Sequence, residues 1–216
     1  MKRIHALLAL LLLVIFIAVH NYYSLPCVIS RVRSSVVRVK VQGKYGELWS
    51  GSGVVLDNGL VLTAGHVVED ANNVFIEFDN GFEMESSKFF MSKDINSIDV
   101  GLIIIEDKFL YTRFAFNTNV DIGDNIFVIG SPFGNKNTVS LGIFSAYDRV
   151  IQGELLHQLD ISGAPGSSGC PVFNRYGNII GIIVRGNNYG IVYIVPLEMC
   201  KLIVDMYENV QKAKVK

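Results

Sequence analysis

The chain is poor in cysteine and histidine and carries no run of basic charge. Its three cysteines, Cys27, Cys170 and Cys200, are too few and too scattered over 216 residues to form a disulfide framework. Their odd number leaves at least one thiol free or paired between chains. Neither a C-x-x-C nor an H-E-x-x-H spacing occurs, so no metal site is implied and no cofactor is expected. The formal net charge is −1, and without a basic patch nucleic acid is not the indicated partner. Internal repeats and low-complexity linkers are also missing, so no second regulatory domain is expected.

Half of the side chains are apolar, enough at this length to bury one substantial core. The N-terminus stands apart from the rest. Lys2 and Arg3 precede an apolar run from Ile4 to Val19 interrupted only by His5, the pattern of a secretory signal or a membrane anchor over residues 1–24. The run is short for a span, which usually takes about 20 apolar residues. A small-x-small cleavage site is not evident: Ala18-Val19-His20 fails at its last position and Tyr22-Tyr23-Ser24 at its first. A retained anchor is the preferred reading. In either case the positive-inside rule places the N-terminus in the cytoplasm and the remainder across the membrane. Residues 25–33, with Pro26 near the start, read as a short helical linker.

From residue 34 the pattern changes to short β-branched segments. Strands are expected over Val36–Val41, Leu48–Leu56, Leu60–Thr63, Asn73–Phe78, Lys88–Met91, Val100–Ile105, Asn125–Ile129, Val139–Tyr147, Cys170–Phe173, Ile179–Val184 and Ile191–Val195. Turn signals such as Asp57-Asn58-Gly59, Asp79-Asn80-Gly81 and Ser131-Pro132-Phe133-Gly134 separate them. Gly51 and Gly53 inside the second strand suggest a bulge or a close backbone contact. Many short strands with Gly- and Pro-rich turns indicate a barrel or sandwich. One amphipathic helix is expected over residues 196–210, behind Pro196, and residues 211–216 read as a frayed tail.

The stretch Gly163-Ala164-Pro165-Gly166-Ser167-Ser168-Gly169-Cys170-Pro171 packs small residues around two serines. Taken alone it reads as a turn. A serine hydroxyl becomes a useful nucleophile beside a base, usually a histidine that a carboxylate holds in the right tautomer. Of four histidines, His5 and His20 border the apolar segment, and His157 reads as an ordinary strand or surface residue. His66 remains, at the end of an apolar strand. Asp99 opens the apolar run Val100–Ile105 and must find a donor, because an unpaired buried charge is expensive. An imidazole N–H and a backbone amide are both candidates. Asp79, Asp94 and Asp107 sit in polar surroundings and read as solvated loop residues.

Taken together, these segments resemble the trypsin-like serine proteases, and more narrowly the HtrA/Deg-type bacterial branch. The resemblance is carried by Gly51-Ser52-Gly53-Val54-Val55, Leu62-Thr63-Ala64-Gly65-His66-Val67-Val68, Ile98-Asp99-Val100-Gly101-Leu102 and Gly166-Ser167-Ser168-Gly169-Cys170-Pro171. Ile129-Gly130-Ser131-Pro132-Phe133-Gly134 adds to it, and the whole spans roughly Ser34 to Pro196. It implies an all-β, two-barrel chymotrypsin-like fold over residues 34–210, with one barrel over about 34–110 and the other over about 118–196. It also implies a serine endopeptidase acting on protein or peptide substrates. In that scheme Ser168 is the nucleophile, His66 the base and then acid, and Asp99 the orienting carboxylate. The amides of Gly166 and Ser168 form the oxyanion hole, and Ser167 does not attack. Asp160 and Ser162 match the stretch that builds the floor of the substrate pocket. Ile182, Ile183, Val184 and Arg185 match the strand that pairs with substrate backbone.

Departures accompany the match. Cys170 stands where a second glycine is commonest, and the half-cystines of secreted animal relatives are missing. The sequence after the helix leaves no room for a PDZ domain, so the trimer familiar in that branch is not implied and the oligomeric state stays open. Ser162 and the aliphatic residues near Ile182 suggest a shallow, uncharged pocket, with Arg185 at its rim. A second reading, from a different class, is a protease-fold pseudoenzyme that binds extended peptides. An α/β-hydrolase is excluded, because Gly166–Cys170 lacks the closing glycine of G-x-S-x-G and the histidine precedes the serine.

Overall fold

The computed structural model describes residues 2–56, 59–92, 98–105, 119–187 and 189–214. The expected turn at Asp57-Asn58, the loop residues Asp94 and Asp107, and the ends of the two expected barrels at 110 and 118 lie outside these residues.

Helix α1 (Lys2–Tyr22) is followed by α2 (Leu25–Val32), whose Pro26 sits in the first turn, where its missing N–H costs nothing. From Leu7 to Val19 the apolar side chains of α1 face outward. Among the described residues no single helix is long and apolar enough to cross a membrane; Leu7–Tyr22 and Leu25–Ser35 reach that length and composition only as a pair, bent by 53°. Val28 and Val32 are buried and occupy the space beside Gly177, in the second half of the molecule.

The first half is a seven-stranded sheet in the order β5-β4-β1-β2-β3-β7-β6. Its strands are β1 (Val36–Gly43), β2 (Leu48–Leu56), β3 (Leu60–Thr63), β4 (Ala71–Glu77), β5 (Glu83–Ser86), β6 (Phe89–Met91) and β7 (Gly101–Ile104). The two outermost strands, β5 and β6, are separated by only two residues. The Ile104 amide donates to the Lys88 carbonyl at 2.9 Å, and Ser86 Oγ donates to the Ile104 carbonyl at 2.7 Å. The chain itself thus brings the two edges together and bends the sheet into a half-barrel. β1 and β2 pair in continuous register from Val36↔Val54 to Gln42↔Leu48, so Gly51 and Gly53 make close contacts and no bulge. A Cβ on Gly51 would lie 2.7 Å from a Val67 methyl and 2.9 Å from the Ser168 carbonyl oxygen.

The second half is a closed barrel, β10-β13-β12-β11-β8-β9. It contains β8 (Asn125–Gly130), β9 (Thr138–Ile151), β10 (Glu154–Asp160), β11 (Pro171–Asn174), β12 (Ile179–Gly186) and β13 (Ile191–Pro196). This is the expected two-barrel architecture. Phe144, Leu159, Val172 and Ile194 fill the second barrel. The larger core runs through the first and across the junction, where Phe127 stacks on Phe173 with ring centroids 5.1 Å apart. One strand in each half, β5 and β10, was not expected. Helix α3 (Gly65–Val68) is a single turn, and α4 (Leu197–Lys214) continues four residues past the expected end, so residues 211–214 are helical rather than frayed. Asp79 is engaged rather than merely solvated, accepting from Arg33 at 3.2 Å and from the Asn137 amide of the second half. Beside it, Lys136 pairs with Glu77 at 2.6 Å.

Candidate active site

His66 lies on the single turn α3, between β3 and β4. The buried side chains of Val67 and Val68 anchor that turn, which leaves the His66 ring 43% exposed. Asp99 precedes β7 and reaches His66 with both carboxylate oxygens. Oδ2 lies 2.6 Å from Nδ1 of the ring, and Oδ1 accepts the His66 backbone N–H at 2.8 Å. The ring and backbone alternatives for the partner of Asp99 are thus both realised, by one residue. Burial alone would raise the Asp99 pKa. The hydrogen bond from His66, its charge and its amide outweigh that, helped by the charge of Arg185, and hold the carboxyl below the ordinary aspartate range. A carboxylate that stays ionised on Nδ1 leaves the opposite ring nitrogen free to take and return a proton.

The serine loop consists of two consecutive tight turns. The Ser167 amide donates to the Ala164 carbonyl at 2.9 Å, with Pro165 and Gly166 between them and Gly166 at φ +94°. Proline followed by a residue at positive φ is the signature of a type II turn. The Cys170 amide then donates to the Ser167 carbonyl at 3.0 Å, with Ser168 and Gly169 between and Gly169 at φ +80°. The Gly169 amide donates to the Ile183 carbonyl at 2.7 Å. The amides of Gly166 and Ser168, by contrast, meet no backbone acceptor among the described residues. Unspent backbone donors of this kind, one on Ser168 itself and one two residues before it, are what an incoming oxyanion requires. The buried Ser167 accepts the Ala164 amide on its hydroxyl at 3.3 Å and is occupied within the turn.

This loop is pressed against the first half. Ser52 of β2 is fully buried; its amide donates to the Ser168 carbonyl at 2.8 Å. Its hydroxyl donates to the Gly166 carbonyl at 2.9 Å and accepts from the Ser131 amide at 3.0 Å. Thr63 in turn donates to the Ser52 carbonyl at 2.7 Å. A Cβ on Gly169 would come within 2.1 Å of the Ser52 carbonyl oxygen and 3.0 Å of the Ala64 amide, two residues before His66. Behind the loop, the Phe133 amide donates to the Pro165 carbonyl at 2.7 Å. Ser52 and Thr63 were missed as site residues. Their one sequence signal is a pair of hydroxyls placed in otherwise apolar or glycine-rich strands.

A cleft of about 270 Å³ opens beside Ser168, walled by Ala164, Ile183, Val184, Val192 and Arg185. Ile183, Val184 and Arg185 therefore lie with the serine loop. Ile182 is buried in the core junction, and Ser162 is exposed outside the cleft lining. Strand parity turns Ile182 inward, while a register shift between Ile183 and Arg185 presents consecutive residues to the cleft. Asp160 is likewise exposed, at the end of β10. The Arg185 guanidinium is tied to the β9–β10 hairpin, to Glu154 at 2.7 Å and to Gln152.

Cys170 is buried, and its sulfur fills the space that Gly130 leaves open, 1.9 Å from where a Cβ would stand. Burial pushes its thiol up to about 11, so it is a packing residue. His157 packs edge-on to Phe144 and Tyr147, and burial lowers its pKa despite nearby Asp148. Among the described residues no cluster of His, Cys, Asp and Glu has the makings of a metal site.

The sequence profile of the trypsin-like peptidase domain matches residues 51–182, more than half of the chain, and the chain belongs to the trypsin-like peptidase family. Within it the similarity is to HtrA- and DegP-like proteins. A probable periplasmic serine endoprotease, DegP-like, of Rhizobium meliloti is 31% identical over 175 residues, 76% of this chain and 34% of that protein. The corresponding protein of Ectopseudomonas mendocina is 33% identical over 159 residues, 69% of this chain and 33% of that one. This chain thus spans about a third of the length of these relatives. Among solved structures, the HtrA-type protease AlgW with tripeptide superposes with a TM-score of 0.75 at 26% identity, covering 84% of this chain and 62% of that one. The serine endoprotease from Yersinia pestis gives 0.74 at 28% identity, covering 85% and 66%.

Proposed function

We propose that the chain is a serine endopeptidase that cleaves peptide bonds in protein substrates through a covalent acyl-enzyme. Ser168 Oγ attacks the scissile carbonyl while His66 takes its proton. The imidazolium, held by Asp99, then protonates the leaving amine, and water repeats the sequence to release the acyl group. The amides of Gly166 and Ser168 receive the developing oxyanion, each such donor being worth about 3 kcal/mol in the transition state. Ile183, Val184 and Arg185 line the substrate side. The reading rests above all on one pairing: a carboxylate-bound imidazole in the first half, and a serine loop pressed against that half, with unspent amides on Ser168 itself and on Gly166. The outward apolar face of α1 and the periplasmic assignment of the DegP-like relatives support an extracytoplasmic domain, tethered to the membrane or exported.

A fluorophosphonate probe tests this directly. It is expected to label the wild-type chain, and Ser168→Ala is expected to abolish both labelling and casein cleavage. Labelling that survives Ser168→Ala but disappears in Ser167→Ala would overturn the assignment. Peptide binding by the wild type without turnover would establish the pseudoenzyme instead.

A further inference from the structure

Helix α3 consists almost entirely of ends. A four-residue turn satisfies very few of its own amides and carbonyls, and Ala64 at its N-cap supplies no side-chain bond. What fixes His66 must therefore come from outside the turn. At the N-terminal end it is Asp99 Oδ1, on the His66 amide at 2.8 Å. At the C-terminal end, the indole N–H of Trp49 donates to the carbonyl of Val67 at 2.8 Å. Trp49 is fixed in turn. It faces Val41 across the β1–β2 ladder, and its ring covers Gly43, where a Cβ would stand 2.7 Å from the indole. The side chain of Val67 fills the space beside Gly51, on the same strand as Trp49, so one strand grips that residue by both its carbonyl and its methyls.

We propose that Trp49 is a positioning residue for the His66 imidazole: its indole N–H clamps the far end of the one-turn helix that Asp99 clamps at the near end. This rests on the catalytic reading of His66. The hydrogen bond acts on the orientation of the base and not on substrate contacts, so its loss belongs in kcat rather than KM.

Trp49 is the only tryptophan in the chain, which permits an atomic test. Global replacement of tryptophan by β-(3-benzothienyl)alanine exchanges the indole N–H for sulfur at this one position and preserves the ring; Trp49→Phe is the encoded counterpart. Both are expected to lower kcat about three- to tenfold with KM within about twofold, with the protein still fully folded at the assay temperature and an unchanged number of fluorophosphonate-titratable sites. An unchanged kcat overturns the proposal. So does a loss that follows the number of titratable sites, since that marks a purely structural role. A separate arm needs no turnover. Asp99→Ala frees the near end of the helix and is expected to shift the Trp49 emission maximum, whereas an unmoved spectrum overturns the coupling. If the wild type shows no Ser168-dependent hydrolysis, the functional reading has failed, and the emission arm still decides the mechanical one.

Discussion

In the first half of the molecule the groups that matter are held by side chains. Asp99 grips His66 twice, Trp49 holds the turn behind it, and Thr63 and Ser52 relay hydrogen bonds toward the junction. In the second half the same task falls to the backbone. Ser168 stands in a pair of turns set by Gly166 and Gly169, whose amides and carbonyls do the holding. On the proposed reading, the contrast follows from what each half would contribute. A base must swing a proton and needs its charge tuned, which side chains do. An oxyanion site needs two rigid donors at fixed spacing, which a backbone in positive-φ turns supplies without reorganisation. The first half should therefore fail when charges or donors are changed, and the second when atoms are added.

The largest effect is expected at Asp99. Asp99→Asn keeps the size of the side chain but offers Nδ1 an amide in place of a carboxylate, and kcat should fall by about 10³–10⁴-fold with little change in KM. The same carboxylate carries a pH dependence. Its folded pKa lies below the ordinary value of 3.8, so it contributes stability that is fully present above that value and is lost as pH falls through the lower, folded pKa. Acid unfolding monitored between about pH 5 and 2 should therefore lose part of its steepness in Asp99→Asn. An identical acid limb in both proteins would show that the charge of Asp99 does not contribute to folding.

Added atoms test the other half. Gly169 and Gly46 have similar backbones, φ +80° and +89°, but a Cβ at Gly169 would lie 2.1 Å from a carbonyl oxygen, whereas at Gly46 nothing stands within 4 Å. Gly46→Ala should cost only the left-handed strain, about 1–2 kcal/mol. Gly169→Ala adds a clash with backbone that cannot yield, and about 2–5 kcal/mol is expected, together with loss of fluorophosphonate labelling. Equal losses in denaturant titrations of the two variants would mean that the serine loop is not pressed against β2 and would remove the contrast between the halves.

Much of this was legible in the sequence because strand and turn chemistry agreed locally. β1, β2 and β3 alternate or run apolar between turn residues, and His66 follows β3 while Asp99 and Ser168 stand just before β7 and β11. β5 was not legible: Glu83-Met84-Glu85-Ser86 exposes both glutamates, has little apolar surface and forms a strand only because β4 supplies a ladder. β10 was hidden by its register shifts between Leu156 and Gln158 and between Gln158 and Leu159, which break the period of two on which strand recognition depends. In the site, residues marked by their type, such as His66 and Asp99, could be singled out ahead, whereas contacts that depend on tertiary approach could not. Nothing local marks Trp49 as the partner of Val67, or Ser52 as the link between Gly166 and Ser131. The same limit explains Ile182, since one irregularity in β12 decides which of its side chains meet the cleft.

The smallest effect expected concerns the thiols, and it probes how rigid the second half is. Cys170 adjoins the serine loop, buried against Gly130, with its pKa pushed up to about 11 by burial. Cys200 on α4 is also buried and its pKa is raised by the same cause. Cys27, on α2, is only half-buried. Alkylation requires both thiolate and access, and at pH 7.5 a thiol of pKa 11 is ionised in only about one molecule in 3,000. Native protein treated with iodoacetamide should therefore take up one equivalent, at Cys27, with hydrolysis unaffected, and all three cysteines should react in denaturant. Peptide mapping that finds Cys170 modified in the native protein would mean that the turns carrying Ser168 open on the timescale of the reaction. The proposed oxyanion donors could not then be the preformed, backbone-held pair that distinguishes the second half from the first.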